Sequence, residues 1–323
     1  MKSDTSNRKS AASTKETQTV YRAKPFLKWA GGKGQLLETF NGFYPPELKT
    51  NQVKNYYEPF IGGGAVFFDI AQKYTIHSAL LCDINEELIL TYQVVQKNVF
   101  KLMEHLELLR KKYEKLDRET QQLFYYEVRN DFNNKRFRTN YQSYSVQWIK
   151  RAAQIIFLNK TCFNGLFRFN LKGAFNVPAG RYKNPKILDE QNLRNVSSLL
   201  SVAEIKKADF KEITGKVTSG SFVYFDPPYR PINKTSSFTS YSKNIFGDKE
   251  QIELEQVFSE LHHKGTKLML SNSDPKNVDP DDQFFDELYK KYYISRVSAK
   301  RSINSNAAKR NAIKEIIVTN YPV

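Results

Sequence analysis

Asn55-Tyr-Tyr-Glu-Pro-Phe-Ile-Gly-Gly-Gly64 is the stretch that decides the fold. Its first six residues are typical of a strand, and the glycines that follow predict a tight turn. A helix is expected from Ala65 to Lys73, and a second strand over Ala79-Leu-Leu-Cys-Asp83. Strand, glycine turn, helix and strand, in this order, make up the basic unit of a parallel sheet covered by helices. The sequence therefore predicts an α/β fold.

The rest of the chain divides into a helical middle and a second group of strands. Apolar residues from Leu88 to Leu116 recur every three or four positions, which predicts a helix, and another is expected over Val146–Leu158. We therefore predict a helical domain at residues 93–202, inserted into a sheet domain formed by residues 24–92 and 203–323. Three later apolar runs predict further strands: Ser221-Phe-Val-Tyr-Phe-Asp226, Lys267-Leu-Met-Leu-Ser271 and Lys314-Glu-Ile-Ile-Val-Thr319.

Composition narrows the class of function. The 323 residues include 50 Lys and Arg against 34 Asp and Glu, a net charge of +16, which predicts attraction to a polyanion. A basic protein without such a partner stays open at this point. Residues 1–23 are polar and lack the apolar centre of a secretory signal, so we expect a disordered tail on a cytoplasmic protein that makes no membrane contact. Cys82, Cys162 and the four histidines show no zinc-ligand spacing, and neither a metal site nor a disulfide framework is expected.

The glycine turn and the acid after it point to a nucleoside ligand. Glycines after a strand let a ligand approach the backbone closely, and Asp83 at the end of the next strand can bind both hydroxyls of a ribose. Phe67 stands where the third glycine of a dinucleotide fingerprint would fall, so a pyrophosphate lacks its usual seat. S-adenosylmethionine is a nucleoside without phosphates and fits the pattern. Taken alone the pattern is weak, because any α/β protein can carry a tight turn here.

A second pattern, Asp226-Pro-Pro-Tyr229, follows an apolar strand and suits the methylation of an exocyclic amine. The lone pair of such an amine is delocalised into the ring. A carboxylate that accepts a hydrogen bond from the amino group favours electron density on nitrogen, and a backbone carbonyl that accepts the other hydrogen helps to orient it. The two prolines stiffen the turn, and Tyr229 offers a flat face to a base drawn from a duplex. The alternative is a proline-rich turn with a surface tyrosine.

Two basic segments complete the set of candidates. In Pro25-Phe-Leu-Lys-Trp-Ala-Gly-Gly-Lys33, the two lysines could hold a cofactor carboxylate and the indole could cover the cofactor. The segment is not a phosphate-binding loop, because Gly34 stands where that motif requires Ser or Thr. Residues 164–183, here called the basic hairpin, interleave aromatic with basic side chains. Arginine there could read guanine and an aromatic ring could enter a base stack, or the segment is a surface hairpin with incidental charges.

Together these motifs resemble the Dam-type adenine-N6 DNA methyltransferases, the D12 class of the alpha group. The resemblance covers about residues 24–320. It implies a Rossmann-like, S-adenosylmethionine-dependent methyltransferase core with an inserted, mainly helical target-recognition domain that carries a β-hairpin. The motifs are Phe26-Leu-Lys-Trp-Ala-Gly-Gly-Lys33, Glu58-Pro-Phe-Ile-Gly-Gly-Gly64, Asp83-Ile-Asn85, Asn164-Gly-Leu-Phe-Arg168, Phe175-Asn-Val-Pro178, Asp226-Pro-Pro-Tyr229, Phe238-Thr-Ser-Tyr241 and Arg301-Ser-Ile-Asn-Ser-Asn306.

The resemblance also implies roles for individual residues. Phe163 departs from the tyrosine expected at the position that enters the base stack, so stacking is expected there without a hydroxyl contact. The candidate catalytic residues are Asp226, Pro227, Pro228 and Tyr229. The candidate cofactor-binding residues, which include Phe60, Gly62 and Gly64 at the glycine turn, are Trp29, Lys33, Phe60, Gly62, Gly64, Asp83 and Asp226. The candidate DNA-binding residues are Lys28, Phe163, Leu166, Arg168, Pro178, Arg301 and Asn306.

The expected activity is direct methyl transfer from S-adenosylmethionine to N6 of an adenine flipped out of double-stranded DNA, at the sequence GATC. The resemblance leaves open whether a restriction endonuclease cuts the same site, or whether the methyl mark serves repair or regulation. Two other functions stay open. One is methylation of RNA or of protein glutamine, where Asn often takes the first place of the Asp226 turn, and the other is DNA binding without catalysis. The aspartate and the basic hairpin argue for DNA adenine.

Overall fold

The part of the chain that the structure describes contains seven strands, which form one mixed sheet. The structure, a computed structural model, describes residues 22–231, 246–299 and 313–323. The strands are β1 (Asn55–Glu58), β2 (Ser78–Asp83), β3 (Ala203–Lys207), β4 (Phe222–Phe225), β5 (Lys267–Ser273), β6 (Tyr293–Ala299) and β7 (Ile313–Thr319). Their order is β3-β2-β1-β4-β5-β7-β6, with β1 to β5 parallel and β7 antiparallel to both of its neighbours. The α/β fold expected from the sequence is confirmed.

The central strands are buried on both faces, which explains their nearly continuous apolar sequences. In β1, Tyr56 packs into the core on one face of the sheet and Tyr57 into the core on the other. In β4, Phe222 and Tyr224 face the first core, and Val223 faces the second. Side chains of a strand alternate between its two sides, so both layers of helices are fastened to the same short strands.

The described residues contain nine α-helices. They are α1 (Leu37–Phe43), α2 (Pro46–Lys49), α3 (Ala65–Lys73), α4 (Glu86–Glu114), α5 (Arg118–Arg136), α6 (Gln147–Thr161), α7 (Glu190–Leu200), α8 (Asp248–His263) and α9 (Phe284–Leu288). Helices α1 to α7 contribute to the first core, and α8 and α9 to the second. None of these helices combines the length and the apolar character needed to cross a lipid bilayer.

Helix α4 connects the sheet with the helical middle of the chain. The side chain of Asn85 accepts hydrogen bonds from the first turn and so caps the helix. Gln93 donates to the carbonyl of Ile205 in β3, which ties the first half of α4 to the sheet. The helix bends at Asn98 (φ −143°, ψ 42°), and beyond the bend Tyr113 packs edge-on against Phe157 of α6. A single helix, α4, therefore contacts the sheet through its first half and the helices of the middle region through its second half.

The basic hairpin lies between α6 and α7. Antiparallel bridges join Cys162 to Ala179 and Phe169 to Phe175. At the tip, the Asn170 amide donates to the Ala174 carbonyl at 2.9 Å. The expected hairpin is present, held by isolated bridges rather than by regular strands.

A buried ionic cluster fixes α4 against α5, α6 and the hairpin. Glu87, in the first turn of α4, is fully buried, and its carboxylate accepts hydrogen bonds from Arg151 of α6 and from the Tyr141 hydroxyl at 2.6 Å. Arg136 at the end of α5 lies 3.7 Å from the same carboxylate and donates to the carbonyl of Gly173 in the hairpin. One buried carboxylate thus connects three segments of the chain.

We expect Glu87→Gln to lower the free energy of unfolding by about 3–5 kcal/mol, because it leaves the buried Arg151 without a counter-charge. Urea denaturation followed by circular dichroism measures the change. Glu107→Gln is the matched control, since Glu107 pairs with Arg110 on the surface of the same helix, and it should change stability little. Equal stability of the two variants would contradict the account of this cluster.

Candidate active site

The sequence motifs meet at the carboxyl edge of the parallel strands. Strand β1 lies between β2 and β4. From β1 the sheet continues through β2 to β3, and from β4 it continues in the opposite direction to β5, so the strand order reverses between β1 and β4. In open α/β sheets, ligands bind at such a reversal, outside the carboxyl ends of the strands. The glycine turn follows β1, Asp83 ends β2, and Asp226 follows β4. Three candidate motifs that are distant in sequence therefore share one edge.

The glycine turn and Asp83 are joined by hydrogen bonds. Gly62 and Gly64 have positive φ angles, 45° and 71°, which glycine adopts most readily. The Asp83 carboxylate accepts hydrogen bonds from the amides of Gly62 at 3.2 Å and Asn85 at 2.9 Å. Burial raises the pKa of Asp83 to about 6, against the opposing effect of these amides.

Aromatic rings flank the turn on two sides. A Cβ atom on Gly62 would come within 3.0 Å of the Trp29 ring, so only glycine allows the indole to lie this close. Trp29 also stacks on Phe167 of the basic hairpin, with ring centroids 5.5 Å apart. On the other side, Phe60 stacks on Phe210 at 5.5 Å and meets Phe246 edge-on at 5.6 Å. Phe210 and Phe246 were not among the predicted site residues, because no motif surrounds them.

Asp226 is oriented through one of its two oxygens. Its Oδ1 atom lies 2.7 Å from Lys33 Nζ and accepts a longer hydrogen bond, 3.4 Å, from Ser271 Oγ at the end of β5. No described residue donates a hydrogen bond to Oδ2. Burial raises the pKa of Asp226, and Lys33 offsets part of that effect. The carboxylate is therefore fixed in direction while one oxygen stays available to a ligand.

The side chain of Lys33 binds the turn formed by Asp226 to Tyr229. Only 3% of the residue is exposed, and its three N–H donors have partners in Asp226, the Gly31 carbonyl at 2.9 Å and the Tyr229 hydroxyl at 3.2 Å. Burial lowers the pKa of Lys33, but the neighbouring Asp226, Tyr229 and Glu315 outweigh it and raise the pKa above its usual range. The sequence suggested a cofactor carboxylate as the partner of Lys33, whereas in the structure the ammonium binds protein groups.

The turn after Asp226 is anchored from two further elements. Gln251 of α8, fully buried, donates to the Pro228 carbonyl at 3.2 Å. The Tyr229 hydroxyl donates to Glu315 Oε1 on β7 at 2.8 Å, while 40% of the tyrosine remains exposed. Pro227 and Pro228 are thus held between a fixed carboxylate and a fixed phenol. Sequence reasoning missed Glu315 and Gln251, although an acid inside the apolar run of β7 was a visible signal.

Four of the predicted DNA-binding residues lie together around Asn159. The Asn159 side chain, fully buried, exchanges two hydrogen bonds with the backbone of Lys28 and donates to the carbonyl of Gly165. The Phe163 amide donates to the Pro178 carbonyl at 2.9 Å, and half of the Phe163 surface is exposed. Leu166 packs against the first core from the same hairpin.

Arg168 lies further along the hairpin and lines a solvent-open cavity of about 640 Å³, bounded also by Asn85 and Arg136. Its Nε donates to Asn176 Oδ1 at 3.0 Å. The start of α4, which follows Asp83 in the chain, and the basic hairpin both line this cavity. The predicted residues Arg301 and Asn306, the motif Phe238–Tyr241 and almost all of the predicted tail at 1–23 lie outside the described residues.

Comparison with known proteins shows the family of the chain. Residues 29–303 match the family model of D12 class N6 adenine-specific DNA methyltransferases. The chain is 52% identical to the type II methyltransferase M.MjaIII of Methanocaldococcus jannaschii, over 92% of this chain and 99% of that protein. It is 37% identical to the type II methyltransferase M1.LlaDCHI of Lactococcus lactis subsp. cremoris, over 92% and 95%. It is 32% identical to the DNA adenine methylase of Haemophilus influenzae, over 91% and 92%.

The matches to the family model and to these relatives extend over most of the chain, and residues 29–303 span the glycine turn, Asp83 and Asp226. The family description names adenine in DNA as the substrate, which favours DNA over RNA or protein glutamine. The chain belongs to the D12 class of N6 adenine-specific DNA methyltransferases.

Proposed function

We propose that the protein transfers the methyl group of S-adenosylmethionine to N6 of an adenine drawn out of duplex DNA, and that it does so at GATC. The observation that carries the proposal is the setting of Asp226. One carboxylate oxygen is bound by Lys33 and Ser271, and the other accepts no hydrogen bond from any described residue. Asp226 follows β4 at the sheet edge that also carries Asp83 and the glycine turn.

The residues at the glycine turn fit a nucleoside cofactor. Asp83 is a hydrogen-bond acceptor suited to two ribose hydroxyls, and it lies next to Gly62, on which Trp29 packs closely. Phe60 offers an aromatic face for a purine, and Gly64 completes the turn. When bound, S-adenosylmethionine supplies a methyl group made electrophilic by its sulfonium sulfur.

The chain's own groups would prepare the adenine amino group for attack. Oδ2 of Asp226 accepts a hydrogen bond from N6 and raises electron density on the nitrogen. Tyr229 stacks on the extruded base, and the rigid Pro227–Pro228 turn keeps ring and carboxylate in register. The N6 proton leaves once methylation has made the nitrogen acidic, so no strong base is required. A cysteine nucleophile is disfavoured, because burial raises the pKa of Cys82 and Cys162 to about 12.

For DNA recognition we propose the region 93–202 together with the segment before α1. Lys28, Leu166, Arg168 and Pro178 would read bases, and Phe163 would enter the stack. A second pocket, of about 350 Å³, is lined by lysines that include Lys28 and Lys160. Burial, reinforced by Lys28, lowers the pKa of Lys160 to about 8, and such crowding of cations favours a polyanionic partner. Arg301 and Asn306 are proposed phosphate contacts on the family resemblance.

GATC is proposed from the resemblance of the hairpin residues to the Dam-type pattern. Because two relatives are named type II methyltransferases, we also propose that a restriction endonuclease cuts the same site, without stable contact with this protein.

Sequencing methylated adenines in DNA from cells that express the protein tests the site directly. We expect N6-methyladenine at GATC in the wild type. Arg168→Ala should weaken discrimination at one guanine by ~1–3 kcal/mol, because a bidentate contact to O6 and N7 is lost. Lys172→Ala, at the exposed hairpin tip, is the control and should lower methylation at all sites alike. Methylation at another sequence, or an unchanged preference in Arg168→Ala, would contradict the assignment.

Asp226→Ala should lower kcat by more than about 100-fold, because the acceptor that orients N6 is removed. Binding of duplex DNA, measured by fluorescence anisotropy, should remain, since the hairpin is untouched. Tritium transfer from labelled S-adenosylmethionine measures the rate. Sustained transfer by the variant would remove Asp226 from the reaction.

Cofactor affinity should depend on pH through Asp83. The carboxylate binds both ribose hydroxyls only when ionised, and its pKa is about 6 in the free protein. The dissociation constant, measured by calorimetry, should be constant above about pH 7 and rise roughly tenfold per unit below about pH 5. Asp83→Asn should bind weakly with no inflection in this range. A flat wild-type profile from about pH 5 to 8 would refute the role of Asp83.

A further inference from the structure

We propose that Glu315 is a positioning residue of the methyl-transfer reaction. From strand β7 it fixes the Tyr229 hydroxyl and faces the Lys33 ammonium, and so holds both the stacking ring and the acceptor carboxylate in place. The inference rests on the proposed function, and it assigns a role to a strand that carries none of the sequence motifs.

The Glu315 carboxylate is buried, and burying an ionised carboxylate is unfavourable unless a partner compensates for its lost hydration. Only 8% of the residue is exposed. Oε1 accepts the hydrogen bond from Tyr229, while Oε2 is buried without a hydrogen bond from any described residue and lies 3.8 Å from Lys33 Nζ. A buried carboxylate oxygen with no donor is disfavoured. Here the ammonium offsets that cost by its charge alone, since its own donors point to Asp226, Gly31 and Tyr229.

The phenol of Tyr229 is held from both sides. It accepts a hydrogen bond from Lys33 at 3.2 Å and donates one to Glu315 at 2.8 Å. Two bonds in fixed directions define where the oxygen lies, and with the rigid proline turn they define the plane of the ring. A base that stacks on this ring would then be presented to Asp226 in one orientation. Holding the reacting groups in one orientation raises the rate of reaction.

Glu315 also keeps the charges in balance during the reaction. In the transfer, the C–N bond would form as the donor's S–C bond breaks, with that electron pair left on sulfur. The methylated N6 then carries a positive charge, so its N–H bond breaks, the electron pair stays on nitrogen, and the proton passes to Asp226 and then to water. While Asp226 is neutral, Lys33 would lose its only close counter-ion if Glu315 were absent. With Glu315 ionised, the ammonium retains a carboxylate partner at every stage, so Lys33 stays protonated and in place.

The test compares Glu315→Gln, Tyr229→Phe and the double variant with the wild type, on a synthetic duplex that carries the mapped site. We expect each single variant to lower kcat about 10- to 100-fold, because Tyr229→Phe removes a hydrogen bond to a charged group and Glu315→Gln removes the charge of its acceptor. KM for DNA should stay near the wild-type value. The double variant should lose little more than the worse single variant, because both act through one hydroxyl. Glu204→Gln, at the exposed edge of the sheet, is the control and should retain wild-type rates.

The pH profile separates positioning from a merely structural role. Asp226 and Glu315 share the Lys33 ammonium, at 2.7 Å and 3.8 Å. When Glu315 has lost its charge, the ammonium is paired with Asp226 alone, so the ionised form of Asp226 is favoured and its pKa should fall. The acid limb of kcat in Glu315→Gln should therefore move to lower pH, with no matching shift in Glu204→Gln.

Wild-type kcat with an unmoved acid limb in Glu315→Gln would overturn the proposal. If that variant does not fold, as judged by circular dichroism, Tyr229→Phe leaves β7 intact and decides, since a wild-type kcat there overturns the proposal as well. An inactive wild-type enzyme would instead refute the proposed function, so the two failures can be told apart.

Discussion

The Lys33 ammonium lies between two carboxylates in the interior of the protein, and the geometry of the active site depends on it. The lysine comes from the segment before α1, Asp226 from the end of β4 and Glu315 from β7. Burying any one of these charges alone would be strongly unfavourable. Since the ammonium is the counter-ion of both acids, neither element can move away without leaving a charge unpaired.

The same segment joins the other parts of the site. Lys28 is bound through its backbone to Asn159, which also holds the hairpin at Gly165. Trp29 packs on the glycine turn and stacks on Phe167 of the hairpin. Within a few residues the chain therefore contacts the glycine turn, the Asp226 carboxylate and the basic hairpin. This arrangement gives a physical reason for so many glycines and aromatic residues near Trp29, because the segments approach one another at backbone distance.

Local patterns were sufficient for the central part of the fold. Helix α3 has the bounds that were expected, whereas the first strand ends at Glu58, two residues earlier than predicted, because Pro59 has no amide to donate. Strands β3 and β6 were not predicted. Both lie at the edges of the sheet, where one side meets solvent and charged residues interrupt the apolar pattern.

In the candidate site, too, the motifs predicted some residues, whereas contacts across the sheet could not be predicted. The motifs identified Asp83, Asp226 and Tyr229, and the structure brings them to one edge of the sheet. The partners of Lys33 could not be read from the sequence, because nothing local says which way a buried lysine points. Glu315 was hidden for the same reason, since its relation to Tyr229 arises from the antiparallel placement of β7 beside β5. Pairing across the sheet, rather than spacing along the chain, decides these contacts.

A crystal structure of the protein with duplex DNA and a non-reactive cofactor analogue tests the central claim most directly. We expect an adenine outside the base stack, lying on Tyr229, with N6 about 2.7–3.2 Å from Asp226 Oδ2 and Lys33 still on Oδ1. An adenine that stays paired in the duplex, or an N6 atom directed away from Asp226, would contradict it.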